Sequence, residues 1–312
     1  MVLSLLDTRL VVVTGKGGAG KTTVAAALAL ARARAGERVI VCELGGAESV
    51  SRAFGRSPVG HVETELAPGL WAISLEPRAA LAEYLNDRLG SRTVSGLLFE
   101  NRLFQSLADA TPGLREMVTM GKVWELAQPE RRSAGASAYD LVVLDAPATG
   151  HALALLGAPS TFSKVASAGS VRRQAEIIEG LISDPSRAAI VAAALPEETP
   201  VNETLELSAR LRDELGIKLR HVVVSGLVQQ RFERSEIDRI EAALSADGAS
   251  AATGPLRRAL ADHDRAAGQR RQVKRLREAL GDDAVATLPL VSGGELDGST
   301  LERLSWAVEL IR

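Results

Sequence analysis

The sequence predicts an α/β protein in which a mostly parallel sheet of about seven strands carries helices on both faces. Short runs rich in β-branched residues recur along the 312-residue chain, and most are separated by stretches with helical periodicity. Strands that alternate with helices in this way form parallel sheets, whose ligands bind at the carboxyl ends of the strands. The predicted strands cover residues 10–13, 38–42, 71–75, 141–145, 189–194, 220–224 and 284–288.

The first predicted strand leads into a glycine-rich segment that reads Gly-Lys-Gly-Gly-Ala-Gly-Lys-Thr. Its glycines, Gly15, Gly17, Gly18 and Gly20, allow the chain to curl tightly enough to direct consecutive backbone amides at phosphate oxygens. A helix rich in Ala and Leu follows over residues 22–34, and its N-terminus adds partial positive charge beneath the phosphates. The order of strand, loop and helix is that of a P-loop NTPase, which makes a chance glycine-rich turn the weaker interpretation.

The other residues of this loop have predicted roles in binding a nucleoside triphosphate. Lys21 is expected to reach the β and γ oxygens, and the Thr22 hydroxyl to bind Mg²⁺. Thr23 is expected to meet the α-phosphate, and Ala19 belongs to the same amide-lined turn. Lys16 is either a solvated loop charge or a second cation for the phosphates.

Asp145 ends an otherwise apolar strand, where a carboxylate is costly to bury unless a cation lies near it. Bound magnesium would supply that cation, so we predict that Asp145 holds the metal through water, alongside Thr22. An aspartate that only forms a turn is the alternative.

Two stretches, residues 76–138 and 146–188, are longer than a simple crossover requires. Both show helical spacing, with Pro77 and Pro112 at first-turn positions and Thr111 as a cap. We therefore predict that residues 1–312 form a single P-loop domain, whose two insertions pack together as a helical subdomain over the nucleotide end of the sheet. The alternative is that these helices only thicken one core.

The glycine loop and the segment from Asp145 to Leu153 together resemble the ArsA family, which comprises arsenite-pump ATPases and ATPases that deliver tail-anchored membrane proteins. The first reads Lys-Gly-Gly-Ala-Gly-Lys-Thr-Thr from Lys16, and the second reads Asp-Ala-Pro-Ala-Thr-Gly-His-Ala-Leu. The family's usual forms are Gly-Lys-Gly-Gly-Val-Gly-Lys-Thr and Asp-Thr-Ala-Pro-Thr-Gly-His. Further similarity lies in Pro112-Gly113, in Pro196-Glu197, and in Leu288-Pro289-Leu290 followed by Glu295 and Gly298.

The resemblance implies a magnesium-dependent ATPase that works as a face-to-face dimer. Lys16, which makes the loop a deviant Walker A motif, would cross the interface to the partner's phosphates. Gly150 and His151 would lie in the switch that senses hydrolysis, although a packed neutral histidine is the alternative for His151.

Two positions depart from the family pattern. Gly45 stands where the family carries the aspartate that positions the attacking water, and this loss should slow turnover more than it weakens binding. Glu43 or Glu48 could substitute from either side. Ser225 stands where the family has an asparagine that reads the base, which weakens the expectation of strict adenine selectivity; Pro289 and Leu290 could still pack against the base.

Composition excludes several classes of function. Lys plus Arg number 37 against 39 Asp plus Glu, so no global field favours nucleic acid. Cys42 is the only cysteine, so the chain cannot form an internal disulfide, a Cys-x-x-Cys zinc clamp or the thiolate cluster that arsenite needs. No segment reaches the roughly 18 unbroken apolar residues of a membrane span. We expect a cytoplasmic protein, with any peripheral membrane association made through a partner.

The favoured function is a dimeric ATP-driven switch that handles an unidentified client, such as a membrane protein or hydrophobic substrate. The alternative is a hydrolysis-deficient subunit that binds nucleotide and stabilises a paralogous active ATPase, and Gly45 keeps it open. A partitioning ATPase shares the Lys16 motif, but the long insertions and the match around His151 disfavour it. Five apolar residues are predicted to belong either to the core or to a client groove: Leu97, Leu98, Phe99, Leu103 and Phe104.

Overall fold

The computed structural model describes residues 8–46, 48–89, 111–132, 135–166, 168–246, 253–291 and 296–309. Its centre is an eight-stranded sheet with the spatial order β3-β4-β2-β5-β1-β6-β7-β8, parallel throughout except for the β3–β4 pair. The strands are β1 (Leu10–Gly15), β2 (Val39–Leu44), β3 (Thr64–Ala67), β4 (Leu70–Leu75), β5 (Leu141–Ala148), β6 (Ala188–Ala194), β7 (Leu219–Leu227) and β8 (Val285–Pro289). The predicted α/β class and mostly parallel sheet are therefore confirmed.

The eighth strand is β3, which the sequence did not indicate. It has 4 residues, lies at the edge of the sheet and pairs antiparallel with β4. Leu66 is its only buried side chain, while Glu65 is exposed. Such a short run of mixed polarity resembles a loop, because the alternation that identifies a strand needs several residues to show.

Helices cover both faces of the sheet. Their bounds are α1 (Lys21–Arg34), α2 (Ser49–Ala53), α3 (Pro77–Leu89), α4 (Leu114–Leu126), α5 (Thr149–Val165), α6 (Ser170–Ser183), α7 (Glu198–Leu215), α8 (Arg234–Ala246), α9 (Thr253–Leu280) and α10 (Gly298–Glu309), with a 3₁₀ turn at Asp282–Ala284.

The central strand β1 contributes to a hydrophobic core on each face. Leu10 and Val12 pack with residues of α4, α5, α6, α7 and α9. Val11 and Val13 pack with residues of α1 and α10 on the opposite face. A central parallel strand is buried on both sides, which explains why the sequence of β1 is continuously apolar rather than alternating.

Helices α3 to α6 pack against one another in the part of the chain predicted to hold the insertions. Helix α3 begins at Pro77 as expected. The expected start of α4 was wrong, because Gly113 adopts φ 78° and the helix begins only after it, at Leu114. Pro112 and Thr111 thus precede the helix. The division into one domain with an inserted subdomain stays a prediction, and residues 97–104 lie outside the described parts of the chain.

A network of charged side chains joins this helical layer to the sheet, and we call it the charge network: His61, Glu63, Glu83, Lys122, Glu125, Arg131 and Tyr139. The Lys122 ammonium lies 2.6 Å from the Glu83 carboxylate and 3.2 Å from that of Glu125. The Arg131 guanidinium contacts Glu125 at 2.8 Å and Glu63 at 2.6 Å. Because the Lys122 and Arg131 side chains are only 7% and 1% exposed, these pairs are held with little screening by water.

Cys42 lies in the middle of β2 and is fully buried. Burial raises the pKa of its thiol, so the thiolate is scarce at neutral pH. Within the described ranges, none of the helices is long and apolar enough to cross a membrane.

Candidate nucleotide site

The glycine loop connects β1 to the N-terminus of α1, and its backbone requires glycine. Gly15 adopts φ 141°, and a Cβ there would lie 2.1 Å from the carbonyl oxygen of Ala193 in β6. Gly20 caps α1 in a left-handed conformation, with φ 81°, and has no side chain to bond the first helical amides. Those amides are therefore open to an anion at the positive end of the helix dipole.

Both lysines of the loop are held by protein acceptors. The Lys21 ammonium donates to the backbone carbonyl of Lys16 at 3.2 Å. The Lys16 ammonium forms an ion pair with Glu203 of α7 at 2.7 Å, and their side chains are 39% and 38% exposed. A triphosphate in the loop would compete for both cations.

Thr22 and Asp145 meet where β5 lies beside β1. The Thr22 hydroxyl donates to Asp145 Oδ2 at 2.5 Å, while Asp145 Oδ1 is buried with no hydrogen-bond partner among the described residues. Burial raises the pKa of this carboxyl, and the Thr22 bond and the Lys21 charge oppose that rise. A buried carboxylate oxygen without a donor, next to a hydroxyl, fits the oxygen ligands that Mg²⁺ prefers.

Glu43 lies opposite Asp145 on the neighbouring strand β2. Only 3% of it is exposed, its Oε1 accepts the Val50 amide at 3.1 Å, and no described donor reaches its Oε2. Burial raises the pKa of Glu43, as do the nearby charges of Asp145 and Glu48. The structure thus places a second carboxylate, with one oxygen available, next to the predicted metal ligand.

Glu48 is also buried, but both oxygens of its carboxylate accept hydrogen bonds. It is the one non-glycine residue of the described chain with positive φ, at 46°, and its carboxylate accepts the backbone amides of Val59 and Gly60. These bonds tie the segment after β2 to the loop before β3. Of the two carboxylates predicted to replace the missing aspartate, Glu43 has the freer oxygen, and Gly45 lies between them in sequence.

The residues predicted to meet the base, Ser225, Pro289 and Leu290, lie near the ends of β7 and β8. A Cβ built on Gly20 would lie 3.7 Å from the Ser225 hydroxyl, which is buried and lacks a partner in the described structure. The Leu290 amide donates to the Leu227 carbonyl at 2.8 Å. Leu290, which follows Pro289, is 48% exposed and borders a cavity of about 190 Å³ that Val228 and Phe232 also line.

The predicted switch residues Gly150 and His151 are exposed in the first turn of α5. The segment before them is tied to the glycine loop, because the Thr14 hydroxyl donates to the Pro147 carbonyl at 3.0 Å. Thr23 is half-buried in the first turn of α1, and Gly17 and Gly18 are exposed at the tip of the loop, with Ala19 buried behind them. The predicted phosphate, metal and switch residues therefore surround one end of the sheet.

The sequence interpretation missed three residues that support the site: Thr14, Glu203 and Gln269. Only Gln269 leaves a signal in the sequence. The buried residues of α9 are Ala266, Gln269, Val273 and Leu276. A glutamine on an otherwise apolar helical stripe must find hydrogen bonds inside the protein, and this marks it as a positioning residue.

The sequence model of the anion-transporting ATPase family matches residues 8–175. ATPase BagA of Mycobacterium tuberculosis is 31% identical over 241 residues, which cover 75% of this chain and 69% of that protein. The putative arsenical pump-driving ATPase of Halobacterium salinarum is 30% identical over 244 residues, covering 72% of this chain and 36% of that protein. The arsenical pump-driving ATPase of Escherichia coli is 25% identical over 241 residues, covering 69% and 39%.

Proposed function

Because the chain belongs to the anion-transporting ATPase (ArsA) family, we propose that it is a dimeric, ATP-driven switch whose nucleotide state controls the handling of a client. Family membership and the P-loop fold support ATP binding and ATPase activity. The observation that carries the proposal is the arrangement at the carboxyl end of β1, where open helix amides lie beside the Thr22–Asp145 pair.

In this proposal the glycine loop binds the β- and γ-phosphates through its amides. Lys21 would exchange its hydrogen bond to the Lys16 carbonyl for phosphate oxygens. Thr22 and Asp145 would hold Mg²⁺, which neutralises charge on the phosphate oxygens. Asp145 must be ionised for this role; burial raises the pKa of its carboxyl, and the Thr22 hydrogen bond and the positive charge of Lys21 oppose that rise.

We propose that Lys16 acts in the dimer rather than in the isolated chain. Its ion pair with Glu203 holds it within its own chain, and because both side chains are more than a third exposed, water screening keeps the pair weak enough to open. On dimer closure, Lys16 would leave Glu203 for the triphosphate of a second copy or of a paralogue. The nucleotide would then hold the two subunits together.

We further propose that hydrolysis is slow, because Gly45 provides no carboxylate to orient the attacking water. Glu43 is the candidate substitute, since its Oε2 has no donor among described residues, whereas the Glu48 carboxylate is engaged by two backbone amides. The same glycine favours a second candidate function, that of a nucleotide-binding subunit that stabilises a paralogous active ATPase. Co-purification of such a paralogue from the native source would favour this second function.

The client remains to be identified. Two of the relatives are named arsenical pump-driving ATPases, but trivalent arsenic binds clustered thiolates. The single cysteine of this chain is fully buried, so we propose a client other than arsenite. We expect the protein to act in the cytoplasm and to meet any membrane through a partner.

The test is nucleotide binding and turnover by the purified chain. We expect Mg·ATP to bind in calorimetry and phosphate to be released, and we expect Lys21→Met to weaken binding by about ten-fold or more, because it removes a charge-assisted phosphate contact. Lys164→Met, at an exposed position on α5, is the matched control. Absence of heat with Mg·ATP, or unchanged binding by Lys21→Met, would refute the proposed function.

A further inference from the structure

A buried glutamine holds the backbone segment that follows β7. Gln269 lies on α9 and is 5% exposed. Its Oε1 accepts the Val228 amide at 2.8 Å, and its Nε2 donates to the Gly226 carbonyl at 3.3 Å. One side-chain amide therefore satisfies a donor and an acceptor of the same short segment, and fixes its position and its orientation.

That segment forms one wall of the nucleotide site. Ser225, immediately before it, has its hydroxyl next to the position of a Cβ on Gly20 in the glycine loop. Gly226 adopts φ 80°, and a Cβ there would contact Leu290 at 3.9 Å. Val228 and Leu290 both line a cavity of about 190 Å³ on the far side of this segment from Gly20. A nucleobase attached to phosphates in the loop would meet this wall.

The polar group that the wall directs toward the loop is a hydroxyl. The Ser225 oxygen is buried without a described partner, and a hydroxyl can either donate or accept a hydrogen bond. It can therefore satisfy the exocyclic amine of adenine or the carbonyl of guanine. The Val228 amide is already used by Gln269, so this group adds no discrimination.

We propose that Gln269 is a positioning residue for the nucleobase, and that the wall it holds accepts purine nucleotides without a strict choice between adenine and guanine. Gln269 acts through the main chain of residues 226–228 and touches no part of the nucleotide itself. This inference rests on the proposed function, because it needs a triphosphate in the glycine loop.

The experiment compares three probes, Mg·ATP, Mg·GTP and Mg·tripolyphosphate, of which the last lacks a base. Gln269→Met keeps the volume of the side chain and removes both hydrogen bonds. We expect the affinity for ATP and GTP to fall about ten-fold, because two partly buried backbone groups lose their partners. The affinity for tripolyphosphate should change by less than about two-fold, and KM for ATP should rise more than kcat falls.

Gln272→Met is the matched control, since Gln272 lies one turn further along α9 and bonds Arg275 on the surface. Gln269→Glu keeps the acceptor for the Val228 amide and should recover part of the ATP affinity; it also serves as the test if Gln269→Met does not fold. Unchanged ATP affinity in the variant that folds would overturn the proposal. An equal loss for ATP and tripolyphosphate would also overturn it, because the glutamine would then only stabilise the fold.

The proposed lack of discrimination between adenine and guanine is tested separately. Affinities of the wild-type chain for ATP and GTP should lie within about ten-fold of each other, and a preference above about a hundred-fold for one base would refute it. If the wild-type chain binds none of the three probes, the proposed function itself fails. If it binds all three and Gln269→Met behaves like Gln272→Met, only this inference fails.

Discussion

Gly45 stands where the resemblance to the family implies an aspartate, and the backbone conformation of Gly45 can accept that residue. Gly45 and Gly46 adopt φ values of 83° and 70°, and no atom lies within 4 Å of a Cβ built on either. Aspartate tolerates this left-handed region better than most residues do. An aspartate can therefore be introduced at Gly45 at modest cost.

We expect Gly45→Asp to raise the single-turnover rate of ATP hydrolysis by about ten-fold or more, because it restores a carboxylate that orients water. The affinity for ATP should change little, since the loop and its lysines are untouched. Gly46→Asp introduces the same charge one residue later and is the control. Equal rates for both variants and the wild type would show that the missing aspartate does not limit turnover.

The functional residues that could be predicted from the sequence are those that belong to a local sequence motif. The glycine loop follows β1 directly, and Asp145 comes after four apolar residues of β5, which continues to Ala148, so their positions near the carboxyl ends of the strands were predictable. Glu203 was not predictable, because it lies 187 residues from Lys16. Gln269 stands out as a glutamine on an apolar helical stripe, but its partner Val228, 41 residues away, was not predictable. The orientation of the Glu48 carboxylate was equally hidden, since it depends on a loop 11 and 12 residues further along the chain.

Among the elements, α3 and α4 are joined to the sheet edge through the charge network. Glu83 of α3 contacts Lys122 of α4 and His61, which follows the loop held by Glu48. Burial raises the pKa of Glu83, but hydrogen bonds from His61 and Lys122 outweigh burial and bring it from 4.5 to about 2. The ionised carboxylate is therefore preferred in the folded state.

A carboxyl whose pKa is lower in the folded state stabilises the fold at pH values above its pKa in the unfolded state. That stabilisation is lost as the pH falls through the pKa of the folded state. We expect the Tm of the wild type to fall between about pH 4.5 and pH 2, the interval between the two pKa values. Glu83→Gln should have a lower Tm at neutral pH and a smaller acid-dependent loss. Scanning calorimetry across this interval is the measurement, with the exposed Glu130→Gln as control. An identical acid profile in wild type and Glu83→Gln would contradict the assignment.

The elements themselves were predictable where one pattern was long enough. The buried parallel strands left apolar runs in the sequence, and the stretch that holds α4 (Leu114–Leu126) left helical spacing. Strand β3 did not, because 4 residues of mixed polarity at a sheet edge do not produce a period. The start of α4 was misplaced because a glycine with positive φ stops the helix that Pro112 would otherwise open.

For the whole molecule, the central expectation is dimer formation that depends on ATP. Glu203→Gln removes the intrachain partner of Lys16, so the dissociation constant of the ATP-bound dimer should fall about two- to five-fold, the range that a half-exposed ion pair allows. Lys16→Ala should abolish the nucleotide-dependent dimer. Sedimentation velocity with and without Mg·ATP measures both effects.

Glu206→Gln, at an exposed position of the same helix, controls for the loss of one negative charge. If Glu203→Gln and Glu206→Gln shift the equilibrium equally, the effect is a general one of charge. If the wild type stays monomeric with saturating Mg·ATP and no paralogue present, a homodimer is excluded under those conditions, and the heteromeric alternative gains support.

The reactivity of the buried Cys42 thiol is a measure of how often the core around it opens. Cys42 lies in the hydrophobic core between the sheet and α4, and burial keeps its thiol protonated, so an alkylating reagent can modify it only while this core has opened. Since β2 ends at Leu44, next to Gly45, the rate of modification measures how often the core around this strand opens. A nucleotide bound at the end of this strand should lower the rate of Cys42 alkylation, which can be measured on the wild-type chain.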